Sequence, residues 1–513
     1  MSADRDYVEN SEVSREENRK ENVEVKPEVK MEAKMEERIE ENVSKELHGV
    51  PMIPYGLLSC RVNGEETRVV ELAPEGFRFR WPCKEADTLR IHKIELSYFQ
   101  YDQSCYETLI LSDYQLVSQK RDEFYVVFTI ITDDSQYRSY TQNLLLDYGK
   151  YIHQKLEESD AELAHERTGY PLDKEEHHVA DYEAQLKIWF QKSQDLSQDL
   201  TRNLTQNLNE NLTQTGFQDV LGQVTEMAIS LNTEQWYHDF LTMQWEELQD
   251  KYWKTFYLEK HPLTRHAIDR VYLGNQFCHL LFPDKKLLFG MLDKANKEYL
   301  KVTLAFSYLR DSEVEKTGVL LDELVQWCKE NHRTIEIIIN DYGLGKLVRE
   351  RCEFLIPVLG NLLNKRRKDA RMRYKNGWSR NCGLLTTTNL NAQWFQEWIS
   401  SEYGIERYEY ETCGYPIQVA NGHHSLSLPF YQTNTSQYCP LYAITRYGDR
   451  GHQHSITACP KYCKEHVLLY PSHLNMIGRF NSLFAFDEKA MTEPDYLSEI
   501  ISHGIDRIVW NLI

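Results

Sequence analysis

The chain has 513 residues, of which 41% are hydrophobic and 12% aromatic, enough for at least one large core and too much for a wholly disordered protein. At roughly 150 residues per domain, two to four domains are expected. With 59 Lys and Arg against 79 Asp and Glu the net charge is -20, which excludes a protein held to polyanions by its overall field. No run of about 18 apolar residues occurs, and the first residues are charged where a secretory signal is apolar. A cytoplasmic protein without a membrane span is therefore expected. In that compartment the 11 Cys read as thiols or metal ligands rather than as a disulfide framework.

Residues 1–46 alternate Glu with Lys and Arg and cannot bury enough surface to offset chain entropy, so they read as a solvated tail. Residues 47–158 carry short apolar alternations at Gly56 to Val62, Arg68 to Leu72, Phe77 to Trp81, Leu89 to Gln100, Glu107 to Ser112 and Phe124 to Thr132. These predict a small antiparallel β-barrel, closed by a helix from Tyr137 to about Leu156. Residues 159–235 are polar and glutamine-rich, with Leu196, Leu200, Leu204, Leu208 and Leu212 recurring every four residues. That period predicts a linker helix whose leucine stripe docks on a neighbour or on a second copy.

From 236 to 513 short β runs alternate with amphipathic helices. The runs are Arg270 to Leu273, Lys301 to Phe306, Thr334 to Ile339, Phe354 to Val358, Arg407 to Glu411, His466 to Tyr470 and Arg507 to Trp510. Helices are predicted over Glu313 to Glu330 and Asn391 to Ser401. Such alternation means parallel strands in an open sheet or a barrel. The expected fold class is multidomain, an all-β module followed by a helical linker and an α/β domain.

The strongest chemical signal is Cys439 followed, across nineteen residues, by Cys459-Pro460-Lys461-Tyr462-Cys463. A three-residue gap lets two thiolates reach one metal from a single turn. Iron-sulfur clusters take Cys thiolates and need a fourth, whereas zinc could add His452 or His454 to these Cys. Cys278, four residues after the glycine that ends Val271-Tyr272-Leu273-Gly274, is the candidate fourth thiol.

Asn340 and Asp341 end a predicted strand, where a carboxylate can act as a base or cap the next helix. Lys365, Arg366, Arg367, Lys368, Arg371 and Arg373 form the dense basic run. It suits phosphate groups or RNA, or a solvated face. No HExxH, phosphate-loop or dinucleotide fingerprint occurs, so zinc-protease, nucleotide-hydrolase and Rossmann readings lose support.

Tyr272-Leu273-Gly274 with Cys278, the later Cys triplet, Ile338-Ile339-Asn340-Asp341-Tyr342-Gly343-Leu344, the segment from Pro357 to Arg371 and Gly504-Ile505-Asp506-Arg507 occur in order. Together, over about residues 262 to 511, they resemble the collagenase-like peptidase family, nearest its ubiquinone-hydroxylation members. The resemblance implies a TIM-like barrel with Cys278, Cys439, Cys459 and Cys463 holding a [4Fe-4S] cluster and Asn340 and Asp341 lining the mouth. Lys365 and Arg366 would hold an anionic substrate, and the chemistry would be oxygen-independent hydroxylation or a related redox reaction. The gap from Cys439 to Cys459 is longer than that family's, and the glycine-cysteine signature of its peptidase branch is missing, so peptidase activity is not implied.

Val70-Glu71-Leu72-Ala73-Pro74-Glu75-Gly76-Phe77-Arg78-Phe79 is similar to the strand turn of PilZ domains, bacterial receptors for cyclic di-GMP. Here Glu71 and Ala73 replace that motif's Asp or Asn and its Ser, and residues 44–54 hold no Arg. The resemblance, over about residues 48 to 157, thus implies a PilZ-like module that docks a protein partner rather than one that binds cyclic di-GMP. Two functions stand at this point. One is a bacterial iron-sulfur enzyme with a docking module; the other is a non-catalytic scaffold or cyclic di-GMP effector whose metal, zinc included, is structural.

Overall fold

A computed structural model describes residues 47–51, 53–101, 103–157, 179–190, 208–448, 454, 456–470 and 472–513. The expected solvated tail and Leu196, Leu200 and Leu204 of the leucine repeat lie outside the described residues. Residues 49–513 form one compact unit.

The first part of that unit is an antiparallel sheet. Its strands are β1 (Val50–Pro51), β2 (Leu58–Val62), β3 (Glu65–Ala73), β4 (Gly76–Pro82), β5 (Ile94–Gln100), β6 (Cys105–Leu111), β7 (Gln115–Arg121) and β8 (Tyr125–Ile131). They lie in the order β6-β5-β2-β3-β4-β8-β7, with β1 on β3. In β4 the two-residue period buries Phe77, Phe79 and Trp81 and turns Arg78 and Arg80 outward.

β3 serves two neighbours in succession. Glu65 to Thr67 pair with β2, and Arg68 to Ala73 pair with β4, across a register irregularity between Val69 and Glu71. The sheet therefore folds around a core that includes Leu72, Phe77, Tyr98, Phe128 and Tyr137. Among the described residues no ladder joins β6 to β7, so the expected barrel is a folded sheet with two open edges. The helix Ser135–Leu156 closes it. Asp134 Oδ1 accepts the N–H groups of Gln136 and Tyr137, and the Tyr137 hydroxyl donates to the carbonyls of Ala73 and Gly76.

The expected linker is not one element. Its described parts are β9 (Val179–Asp181), the helix Leu208–Gln223 and β10 (Glu226–Leu231), and β10 is the first barrel strand. The boundary at 236 is thus too late. The reason is local: six residues, Glu226-Met227-Ala228-Ile229-Ser230-Leu231, separate two helices and carry too few side chains to show their period.

The second part closes a barrel. β11 (Arg270–Gly274), β12 (Lys301–Ala305), β13 (Ile335–Ile339), β14 (Leu355–Leu359), β15 (Arg407–Glu411) and β16 (His424–Thr435) follow β10, and β20 (Ile505–Asn511) inserts between β16 and β10. All eight pair in parallel, and β15 pairs with β16 to complete the ring. This is a TIM-like (β/α) barrel. Along each strand alternate residues face the interior, where Ala228, Tyr272, Ala305, Ile338, Val358 and Val509 form one cluster. Met227, Ile229, Val271, Leu304, Ile337, Leu426 and Trp510 face the helices.

Below the interior cluster lie charges. Arg507 bonds Glu226 and Glu336, and Arg270 pairs with both carboxylates. Burial alone would raise the Glu336 carboxyl, but Arg270 and Arg507 outweigh it and hold it down at about 2. The expected strand at His466 to Tyr470 forms outside the barrel, as β17 (His466–Leu469). It belongs to an antiparallel flap with β9, β18 (Met476–Arg479), β19 (Ser482–Phe486) and the far half of β16.

The sheet sits on the barrel through specific contacts. Asn381 accepts from the backbone N–H of Tyr106 at 2.8 Å and donates to its carbonyl at 2.7 Å, so one side chain pairs with β6 as a strand would. Gly377 lies so close to Ser104 that a Cβ there would meet the Ser104 carbonyl oxygen at 2.0 Å. Arg367, whose side chain is 1% exposed, pairs with Glu66 and lies over the Tyr55 ring at 4.1 Å.

Candidate metal centre

Four cysteines from three separate stretches of chain line one pocket beyond the C-terminal ends of the barrel strands. They are Cys278, Cys439, Cys459 and Cys463. The first follows β11. There Gly274 takes φ +113, and a Cβ on it would meet the Ala305 carbonyl oxygen at 2.6 Å, so only glycine fits the turn. Asn275 then sets the chain direction. Its Oδ1 accepts the N–H groups of Phe277 and Cys278, both at 2.9 Å, while its Nδ2 donates to the Asn232 carbonyl at the end of β10.

Cys439 is the N-cap of the helix Pro440–Tyr447. Its Sγ accepts the Tyr442 N–H at 3.4 Å and donates to the Phe480 carbonyl at 2.8 Å. Cys459 Sγ accepts the Lys461 N–H at 3.2 Å, and Lys461 adopts φ 64 to turn the chain into the short 3-10 turn Tyr462–Lys464 that carries Cys463. Two ties hold this turn. Glu234, in the first turn of the helix after β10, receives Lys461 Nζ at 3.1 Å and Lys464 Nζ at 3.0 Å. Arg479 donates to the Cys463 carbonyl at 3.0 Å and lies 3.4 Å over the Tyr182 ring.

The thiols feel one another. Burial pushes Cys278 up to about 12, with the Cys463 and Cys459 sulfurs adding to the shift and the N–H groups of Leu280 and Leu281 opposing it. Burial also takes Cys439 to about 12, opposed by the Tyr442 N–H and reinforced by the other three sulfurs. Cys463 is raised by burial as well, against the pull of Arg479. Buried thiols of this kind keep their protons until a cation displaces them.

The pocket wall carries four sulfurs, of which those of Cys439 and Cys459 accept backbone N–H groups, beside His279, Arg310 and Lys461, and among the described residues no carboxylate lines it. That set suits an anionic, sulfur-rich group. Among the described residues no three His, Cys, Asp or Glu side chains are placed to hold one metal ion as they stand. A cluster with one thiolate on each iron spreads its ligands further apart than a single ion does. Of the histidines named for zinc, His454 is exposed and does not line the pocket and His452 lies outside the described residues, whereas His279 does line it. The pocket these cysteines line has about 30 Å³ of free space.

Asn340 and Asp341 stand behind this pocket rather than in its wall. Asn340 is buried, donating to the Phe306 carbonyl at 2.8 Å and accepting the Leu362 N–H at 3.2 Å. Asp341 caps the helix Tyr342–Arg349 through the Leu344 N–H, and its other oxygen accepts the Leu309 N–H at 2.7 Å. Together they tie the loop that presents Arg310. The pair Lys365 and Arg366 is split. Arg366 is buried, bonded to the carbonyls of Leu385, Tyr415 and Pro416, whereas Lys365 opens into a second cleft against the sheet.

Glu234, Asn275 and Arg310 carry no motif and are not legible as site residues from sequence. The one available signal was position, since each follows the end of a barrel strand within a few residues. No helix among the described residues is long and apolar enough to cross a membrane. No family model, curated protein or solved structure matches this chain.

Proposed function

We propose that this chain is an iron-sulfur protein in which Cys278, Cys439, Cys459 and Cys463 hold a [4Fe-4S] cluster at the mouth of the barrel. The observation that supports this reading is that thiols remote in sequence line one pocket with backbone donors on their sulfurs and cationic side chains beside them. A bound cluster supplies one-electron transfer. The chain's own residues do the rest: Asn275 fixes the Cys278 turn, Glu234 clasps the loop of Cys459 and Cys463, and Arg310 and Lys461 offset thiolate charge.

The same reading gives the barrel a redox role of the oxygen-independent hydroxylation type and makes the N-terminal sheet a PilZ-like docking module. Purification without oxygen, followed by iron, sulfide and zinc analysis and a visible spectrum, tests it. About four iron and four sulfide per chain are expected, lost in a Cys459→Ala, Cys463→Ala variant that still folds. Colourless protein, or stoichiometric zinc, overturns it.

A further inference from the structure

A cleft of about 550 Å³ lies between the N-terminal sheet and the barrel, within the range of small-molecule sites. Its sheet wall carries an uncommon pairing. Arg68 on β3 and Arg80 on β4 are direct cross-strand partners, and both line the cleft. Like charges directly opposite on one sheet face are destabilising. Arg68 donates to the Ile53 carbonyl at 2.7 Å and feels Glu66 without pairing to it, and Arg80 lies 4.5 Å over the Tyr125 ring. Among the described residues neither has a salt-bridge partner, and neither does Lys365, which enters the cleft from the barrel side.

Lys365 is open to solvent in the cleft yet walled by protein, and that desolvation, with Lys368 behind it, pulls its pKa down. Of the two carboxylates in the wall, Glu66 is spent on Arg367 and Glu65 is exposed. Opposite the cations stand flat aromatic surfaces. Tyr342 and Trp398 meet edge to face at 5.2 Å, and Trp394 lines the same wall. Two guanidinium forks and an amine recognise phosphate oxygens, and aromatic faces hold a planar ring.

We infer that this cleft binds a phosphorylated planar aromatic compound of mononucleotide size, its phosphate between Arg68, Arg80 and Lys365 and its ring against Trp394, Trp398 and Tyr342. The site is separate from the cysteine pocket and stands whether or not a cluster is present. An uncompensated Arg pair that costs the free protein stability is explained if a bound anion relieves it.

Binding of AMP, GMP and flavin mononucleotide to the full chain by calorimetry tests the inference, with adenosine, guanosine, riboflavin and inorganic phosphate as controls. At least one phosphorylated compound should bind tenfold or more tightly than both its dephosphorylated form and phosphate. An Arg80→Gln, Lys365→Met variant should lose that binding at least tenfold, and Trp398→Ala should weaken it without affecting phosphate. Melting supplies a readout independent of the ligand, because Arg80→Gln alone should raise the midpoint of the free protein by relieving Arg68. Failure of all three compounds to bind above their controls, or equal binding by a folded double variant, overturns the site.

Discussion

Arg367 shows how much one side chain can carry. Its guanidinium is enclosed between the Tyr55 ring at 4.1 Å and the Tyr106 ring at 5.6 Å, and it joins barrel to sheet through Glu66. Burial alone would raise the Glu66 carboxyl, but Arg367 outweighs it and the net shift is downward. Arg367→Ala leaves that half-buried carboxylate only the Tyr55 and Ser59 hydroxyls, so a loss below the roughly 3–5 kcal/mol of a fully buried broken pair is expected, to be read by urea unfolding at pH 7. Glu336 gives a pH prediction. Its folded value near 2 lies below the ordinary 4.5, so its contribution is complete above 4.5 and falls away as pH drops toward 2. Glu336→Gln should therefore destabilise the protein at neutral pH and flatten the loss of stability between pH 4.5 and 2. An unchanged acid slope would assign that loss to other carboxylates.

At the scale of elements, the loops after the strands decide the site, and two substitutions probe them. Asp341→Ala removes the N-cap of Tyr342–Arg349 and the tie to Leu309, with an expected cost of about 0.5–2 kcal/mol for the cap alone. Asp341→Asn, which keeps an acceptor, should recover most of it. Glu234→Gln releases Lys461 and Lys464; those two hydrogen bonds, Lys464 foremost, hold the Glu234 carboxyl at about 2. The pair is partly exposed, so the expected effect is local: a looser Cys459 to Cys463 turn, and lower occupancy of the proposed cluster, with a nearly unchanged unfolding midpoint.

These loops also mark where sequence stops being readable. β15 was legible to the residue because Arg407-Tyr408-Glu409-Tyr410-Glu411 alternates charged and aromatic side chains without a break, and the helix Val314–Asn331 within one at either end because its apolar period runs for several turns. β7 was not, since all seven of its residues are exposed and QLVSQKR alternates nothing. β10 was masked by the helices beside it, and β17 read correctly as a strand but not as part of the flap, because ladder partners are nonlocal. That Cys439, Cys459 and Cys463 share a pocket follows from their closeness in sequence, whereas Asn275 and Glu234 act through contacts that spacing does not encode.

For the whole molecule, the question is whether sheet and barrel behave as one body. The reciprocal Asn381 bonds, the close approach of Gly377 to Ser104, and Phe99 and Tyr106 of the sheet, which belong to the barrel's apolar cluster, couple them. Gly377→Ala places a methyl group against a carbonyl oxygen and should pry the sheet away. Two unfolding transitions, and new proteolytic cuts near residues 101–104, are the expected signs; a single transition at the parental midpoint would mean the backbone absorbs the methyl. Since Tyr55, Arg68 and Arg80 come from one side and Lys365 and Trp398 from the other, the same variant should abolish nucleotide binding in the cleft.

The placement of β20 between β10 and β16 reaches beyond stability to the protein's synthesis. The ring cannot close until its last strand leaves the ribosome, several hundred residues after β10, a wait on the order of tens of seconds at translation rates of roughly 5–20 residues per second. The N-terminal sheet, all of whose described pairings fall within residues 50–131, is complete long before. During that interval Cys278 is already outside and the later cysteines are still emerging.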